Sequence, residues 1–358
     1  MRSADIQQDG LFSYVSVESR VPADHPIRKL RVLVDTILRE LDGVLASRYA
    51  VDGRPSIPPE RLLRAALLQV IYSVRSERLL MEQLDYNLLF RWFVGLTIDD
   101  QVWDHSTFSF NRDRLFDETI AQRFFEHTVL LAQLNELVSD DHFSVDGTLL
   151  EAWASHKSFR AKDGSDDGDG GDFRGKKRSN DTHASTTDPD ARLMRKGKGK
   201  EAKLSYQAST LMENRHGLLV AVDVRHATGT SERDAALAML DARRIGKGAT
   251  LGADKGYDTR DFVQALKDRG IKTHIARNQS GRKSAVDGRT ARGKGYAISQ
   301  QVRKRIEQGF GWVKTIGGLR KLRNIGLPKV TGMVTWTFAA YNLIRMGGIG
   351  DWWQPAPT

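Results

Sequence analysis

Apolar residues recur at intervals of three and four through the first third of this chain. Beyond residue 140 several short runs place them at every second position, a change from helical to extended periodicity. Leu30, Leu33, Val34, Ile37, Leu38 and Leu41 follow Pro26 on one helical face, and Leu62, Leu63, Ala66, Leu67, Val70 and Ile71 do the same after Pro58-Pro59-Glu60. Proline is favoured in a first helical turn, where its missing N–H is no loss. A third helix is predicted over Ser76 to Val94, carrying Leu79, Leu80, Leu84, Leu88 and Trp92. Asp104-His105-Ser106-Thr107 supplies a capping start for the aromatic-rich stretch from Phe108 to Leu137. These elements predict an all-α domain over residues 1–137.

From Asp141 the pattern is that of a mixed α/β domain over residues 138–348, with a tail at 349–358. His142 to Gly147, Ala202 to Glu213 and Leu218 to His226 read as strands, the last two joined by the turn Asn214-Arg215-His216-Gly217. Ser231 opens a helix through Ala235, Leu237, Met239 and Leu240, and Thr250 to Asp254 is a strand. A helix over Asp261 to Asp268 and a strand over Ile271 to Ala276 follow, then a helix with the apolar stripe Val302, Ile306, Phe310 and Val313. Residues 160–200 read as a flexible surface excursion, because Asp163 to Asp172 is built of Asp, Gly and Ser and is followed by Arg174, Lys176, Lys177 and Arg178. A calcium loop does not fit, since the twelfth position from Asp163 is Arg174 rather than Glu. Val330 to Met346 is too short and, with Asn342 and Arg345, too polar to cross a bilayer, and reads as a terminal core helix.

Charge then narrows the partner. The formal net charge of +10 favours an anionic one. Over residues 271–305, Lys272, Arg277, Arg282, Lys283, Arg289, Arg292, Lys294, Arg303, Lys304 and Arg305 are opposed only by Asp287. Such a run is either a solvated loop or a surface for DNA. Its position just before Glu307 favours double-stranded DNA. In the helical domain, the helix near Ser106 either presents Asn111, Arg112 and Arg114 to a DNA groove or belongs to a scaffold for dimerisation. The chain has no cysteine, which excludes disulfides, thiolate zinc sites and a thiol nucleophile and suits a reducing cytoplasm. Its start lacks the apolar core of a signal peptide. In Lys196-Gly197-Lys198-Gly199-Lys200 no Gly-Lys precedes Ser or Thr, so no phosphate loop and no ATP requirement are expected.

Three acids are the candidate chemistry. Asp146 and Asp254 each end a short alternating run and stand close to a glycine, so both carboxylates are expected to emerge at an edge or end of a sheet. Glu307 is an acid inside a basic helix, where Arg303, Glu307 and Lys314 fall within an arc of roughly 40° beside the apolar stripe. Taken singly, such aspartates are turn or cap residues and such a glutamate is a surface ion pair. The ordered combination points to a metal site. Asp223 and Asp258 are competing acids, and Asp223, on the strand Val220 to Val224 where it could be a buried hydrogen-bonding group, is ranked below Asp146. Trp312 is open to two readings, a stacking platform for an extruded base or an interfacial core residue beside Phe310.

These residues resemble the DDE-type transposases of the insertion sequence five family, whose third acid lies in a signature of Tyr, two residues, Arg, three residues, Glu, six residues, Lys. Arg303, Glu307 and Lys314 match that spacing, while the tyrosine position holds Gln300 and the nearest tyrosine is Tyr296. Gly53 to Pro59, Asp188-Pro189-Asp190-Ala191-Arg192 and Asp254-Lys255-Gly256-Tyr257-Asp258 are similar too. The resemblance implies a ribonuclease H-like catalytic domain, for which the order of strands and helices is the expected one. It implies a bacterial protein acting at the nucleoid, cleavage and strand transfer at terminal inverted repeats, and a homodimer on DNA. The catalytic and metal residues would be Asp146, Asp254 and Glu307. DNA contacts would come from Arg303, Lys304, Arg305, Lys314, Arg289, Arg292, Lys294 and Trp312, with Arg112 and Arg114. Phosphodiester transfer by carboxylates alone calls for two magnesium ions roughly 3.5–4 Å apart, which manganese can replace. Asp146 would bridge them, with Asp254 on one ion and Glu307 on the other.

Overall fold

The computed structural model describes residues 15–49, 52, 56–115, 117–164, 178–197, 199–279 and 283–350, with the side chains of residues 113–115 excepted. Its first part is helical, and the polar residues decide where each helix stops. The stretch predicted as one helix from Ser76 to Val94 is two, Glu77–Tyr86 and Leu88–Val94. Asn87 leaves the helical conformation between them, and its Oδ1 accepts from the backbone N–H groups of Leu89 and Phe90 at 3.1 and 3.3 Å. The aromatic-rich stretch is likewise divided into His105–Leu115 and Glu118–Leu134, where Asp117 accepts from Ile120 N at 2.9 Å.

Eight strands are described: β1 (His142–Glu151), β2 (Phe159–Ala161), β3 (His183–Ser185), β4 (Arg192–Arg195), β5 (Ala202–Glu213), β6 (Leu219–His226), β7 (Thr250–Ala253) and β8 (Lys272–Ile275). β5 pairs antiparallel with β1 on one side and with β6 on the other, and β4 pairs with the first residues of β5. β7 and β8 continue the sheet parallel to β1. Helix Ser231–Ala242 links β6 to β7 and packs on β5 and β6. The stretch read as a surface excursion therefore lends β4 to the main sheet and folds β2 against β3. Asn180 helps to hold it by pairing with both Leu193 N and Leu193 O, at 2.8 and 3.0 Å. Its acidic run, Asp163 to Asp172, lies largely outside the described residues.

Helix Leu327–Gly347 joins the two parts. Trp336 is fully buried and packs on Phe124 of the bundle with ring centroids 4.5 Å apart. Six residues on, Asn342 accepts from Leu219 N at 2.9 Å and donates to Leu219 O at 2.8 Å, so the same helix grips the start of β6. One continuous apolar core runs through bundle and sheet. Among the described residues no helix is long and apolar enough to cross a membrane.

Trp336→Ala removes the largest buried side chain of that shared helix and is expected to cost about 3–5 kcal/mol in urea-induced unfolding. A loss below about 1 kcal/mol would show that the helix is dispensable to the core.

Candidate active site

The position of the first two acids follows from strand register. β1 and β7 are parallel, with Ser144 paired to Gly252. Continued two residues, that register brings Asp146 and Asp254 side by side where β7 stops at Ala253 and β1 runs on to Glu151. The sheet has a notch there, bounded on one side by β5. Asp254 Oδ1 accepts from Gly256 N at 2.7 Å and caps a short 3₁₀ turn, Lys255–Tyr257. Asp146 Oδ1 accepts from Gly147 N at 2.8 Å.

The electrostatics of the notch are those of crowded carboxylates. Burial pushes the Asp146 carboxyl up from the ordinary 3.8 to about 7, and the charges of Asp254 and Glu232 add to the effect. The Gly147 N–H and the nearby Arg303 guanidinium work the other way. Glu232, in the first turn of helix Ser231–Ala242, was not among the acids singled out from the sequence. Burial and then Asp254 raise its carboxyl as well. Its Oε1 accepts from Gln207 Nε2 of β5 at 3.2 Å. The Tyr257 ring is fully enclosed, and its hydroxyl has no hydrogen-bond partner among the described residues. Burial, and after it Glu232, Asp146 and Asp254, hold that phenol far above its usual range.

Glu307 stands apart from this group. It lies in the first turn of helix Ile306–Thr315, exposed and without a hydrogen bond or ion pair among the described residues. Its helix is nevertheless fixed against β1, because the Lys314 ammonium donates to Thr148 Oγ1 at 2.5 Å and to Leu149 O at 3.0 Å. Asp146 and Thr148 share one face of β1, so Asp146 faces the helix that carries Glu307. At the other end Arg303 Nε donates to Gln300 Oε1 at 2.8 Å, and Gln300 Nε2 donates to His274 O of β8 at 2.5 Å. The residue in the tyrosine position of the signature thus anchors Arg303 to the sheet. Tyr296 reaches the same strand, donating to Ile275 O at 3.0 Å.

The remaining sequence candidates are spread over the surface. Arg305 donates to Asn214 O at 3.2 Å, Arg289 pairs with Asp287 at 3.3 Å, and Lys304, Arg292 and Lys294 are exposed. Trp312 is partly buried and meets Tyr341 edge-on, with centroids 5.8 Å apart. In the bundle, Asn111 is buried and donates to Thr107 O, and Arg112 pairs with Glu77. The Arg114 side chain lies outside the described residues. The competing acids have other work: Asp223 forms a bidentate pair with Arg225, and Asp258 is buried, accepting from Asn278 N and Ala285 N.

A donor set of carboxylate and phenol oxygens suits a hard divalent cation, and closely spaced carboxylates are stabilised by one. Among the described residues no three acidic or histidine side chains form a ready-made metal cage. The pieces at hand are Asp146, Asp254 and Glu232 around the notch, with Glu307 on the flanking helix.

A family model described as Transposase DDE domain matches residues 139–343, and one described as Transposase domain (DUF772) matches residues 15–114. The first spans more than half of the chain, and the chain belongs to that family of DDE transposases. No curated protein matches it. Among solved structures it is similar to a piggyBac transposase synaptic complex with hairpin DNA, at 10% identity over 90% of this chain and 75% of the other, with a TM-score of 0.40. A Mos1 transposase paired-end complex with the left transposon end aligns at 10% identity over 75% of this chain and 81% of the other, with a TM-score of 0.20. Likenesses this remote add nothing to the family models, which alone assign the family.

An acid whose pKa is higher in the folded chain favours folding only while protonated. That contribution is complete below the ordinary 3.8 and is lost as pH rises through about 7. In the presence of a chelator, the parent should lose thermal stability between pH 5 and pH 8 more steeply than Asp146→Asn. At pH 8 the variant's Tm is expected to be higher by at least about 3 °C. Parallel curves for the two proteins would show that Asp146 ionises as in water.

Proposed function

We propose that this chain is a ribonuclease H-like transposase of the insertion sequence five family, which binds the terminal inverted repeats of its own element, cleaves them and joins the freed 3′ end to target DNA. The observation that carries the reading is the pairing of Asp146 with Asp254 at the notch beside β7, beneath a helix that bears Glu307 between Arg303 and Lys314. The strand order β6-β5-β1-β7-β8, antiparallel in its first half and parallel in its second, supports the ribonuclease H-like assignment.

In this reading Asp146, Asp254 and Glu307 hold divalent cations, magnesium in the cell and manganese as a substitute. Bound there, the cations would supply activation of the attacking oxygen and compensation for charge on the departing 3′ oxygen. Arg303, fixed by Gln300, keeps a positive charge beside Asp146 and faces the approaching phosphate. Lys314 fixes the Glu307 helix to β1 through Thr148 and so sets the distance between Glu307 and the two aspartates. The exposed Arg289, Arg292, Lys294 and Lys304 give the DNA backbone a basic approach, whose strength falls with salt. Two protomers on two ends is the assembly this reading calls for.

The test is a magnesium-dependent cleavage and joining assay on the element's own ends, comparing the parent with Asp146→Asn and Glu307→Gln. The parent should nick and join, and each variant should fall by at least about a thousandfold while still binding the ends. A parent that binds ends and neither cuts nor joins with magnesium or manganese would leave a DNA-binding protein. Cutting without joining would leave a nuclease.

A further inference from the structure

The acid whose charge acts on Asp146 together with that of Asp254 is Glu232. It arrives from the other face of the sheet, on the helix between β6 and β7. How it reaches the notch can be read from Gly147. A Cβ built on that residue would lie 2.3 Å from Gln207 Nε2 and 2.9 Å from Glu232 Oε1. A side chain there would make both groups shift, so the glycine leaves room for a carboxylate against the β1 backbone. Gln207 holds the carboxylate at that spot by donating to Oε1 at 3.2 Å. The Gly147 N–H is already given to Asp146. One peptide unit thus separates the carboxylate of Asp146 from that of Glu232.

The second observation is the Tyr257 hydroxyl. It belongs to the turn that Asp254 caps and is wholly enclosed, in the field of Asp146, Asp254 and Glu232, with no hydrogen-bond partner among the described residues. An unpartnered buried hydroxyl is unfavourable by about 1–3 kcal/mol and is rarely kept without a use. A donor among acids is satisfied once a neighbouring carboxylate turns towards it.

We propose that Glu232 is a further carboxylate of the divalent-cation site, its charge held over Gly147 by Gln207 so that a cation at the Asp146–Asp254 notch compensates it too. This rests on the metal-dependent reading above. Glu232 acts as a positioning residue through the cation, and Tyr257 is the donor that the carboxylates gain when the site loads. The site would then draw on both faces of the sheet, with Glu307 from one helix and Glu232 from the other.

The experiment is calorimetric titration of the metal-free full chain with manganese alone, which reads the ion rather than turnover. Parent, Glu232→Gln and Glu232→Asp are compared, with binding to a DNA duplex of the element's end in chelator as the control. Glu232→Gln keeps the shape and a partner for Gln207 but removes the charge. Its manganese affinity should fall about tenfold or more with DNA binding unchanged, as expected for losing a unit charge close to a divalent ion. Glu232→Asp keeps the charge but withdraws it by one methylene, and should fall between the two. It also serves should the glutamine variant not fold. Equal affinity in parent and whichever variant folds would overturn the role of Glu232 while leaving the Asp146–Asp254 site standing. A parent that binds no manganese would overturn the metal site itself, and this inference with it.

Discussion

Helix Leu327–Gly347 is the constraint on which the rest of the molecule depends, because it is buried on nearly every side and serves two neighbours at once. A helix that is apolar all round has no stable place except inside a core. Here Trp336 fills the bundle side against Phe124, while Asn342 replaces a missing strand neighbour for Leu219. Arg345 adds a bond to His216 O in the β5–β6 turn, where Gly217 takes a positive φ of 71° to let the chain reverse. The sheet edge at β6 is thereby tied to the helices that precede it in sequence.

From that frame the site inherits its tension. A sheet whose strand β7 ends early leaves a gap beside β1, and acids from different elements meet in it at the expense of mutual repulsion. The protein limits the repulsion with backbone donors at Gly147 and Gly256 and with the guanidinium of Arg303. It does not remove it. Stability has been given up locally where charge must be available, as is common at functional sites.

Much of this was legible in the sequence because it depended on periodicity. The strands carrying Asp146 and Asp254, the hairpin of β5 and β6 and the buried C-terminal helix all follow from spacing of apolar residues. The break at Asn87 was not, since its competing cap depends on a conformation that the leucine pattern does not encode. Nor was β4, which pairs with the start of β5 and is braced by side-chain bonds from Asn180. Glu232 escaped for a related reason. In Ser231-Glu232-Arg233-Asp234 it has the ordinary look of an acid in a first helical turn, and only the empty Cα of Gly147, distant in sequence, gives it meaning. Its one faint signal was the glycine directly after Asp146. The partner of Gln300 was hidden in the same way, because a glutamine in the tyrosine position reveals its bond to His274 O only once β8 is in place.

The order in which the chain is made gives the shared helix a further meaning. Residues 15–134 leave the ribosome long before Leu327–Gly347 does, so the bundle must wait, with the surface around Phe124 uncovered, for a strut that is synthesised after the whole sheet. Until then the sheet also lacks its clasp at Leu219. An unfinished chain is therefore one in which neither half has its final packing, and the geometry at the notch matures only when translation has passed the last turn of that helix.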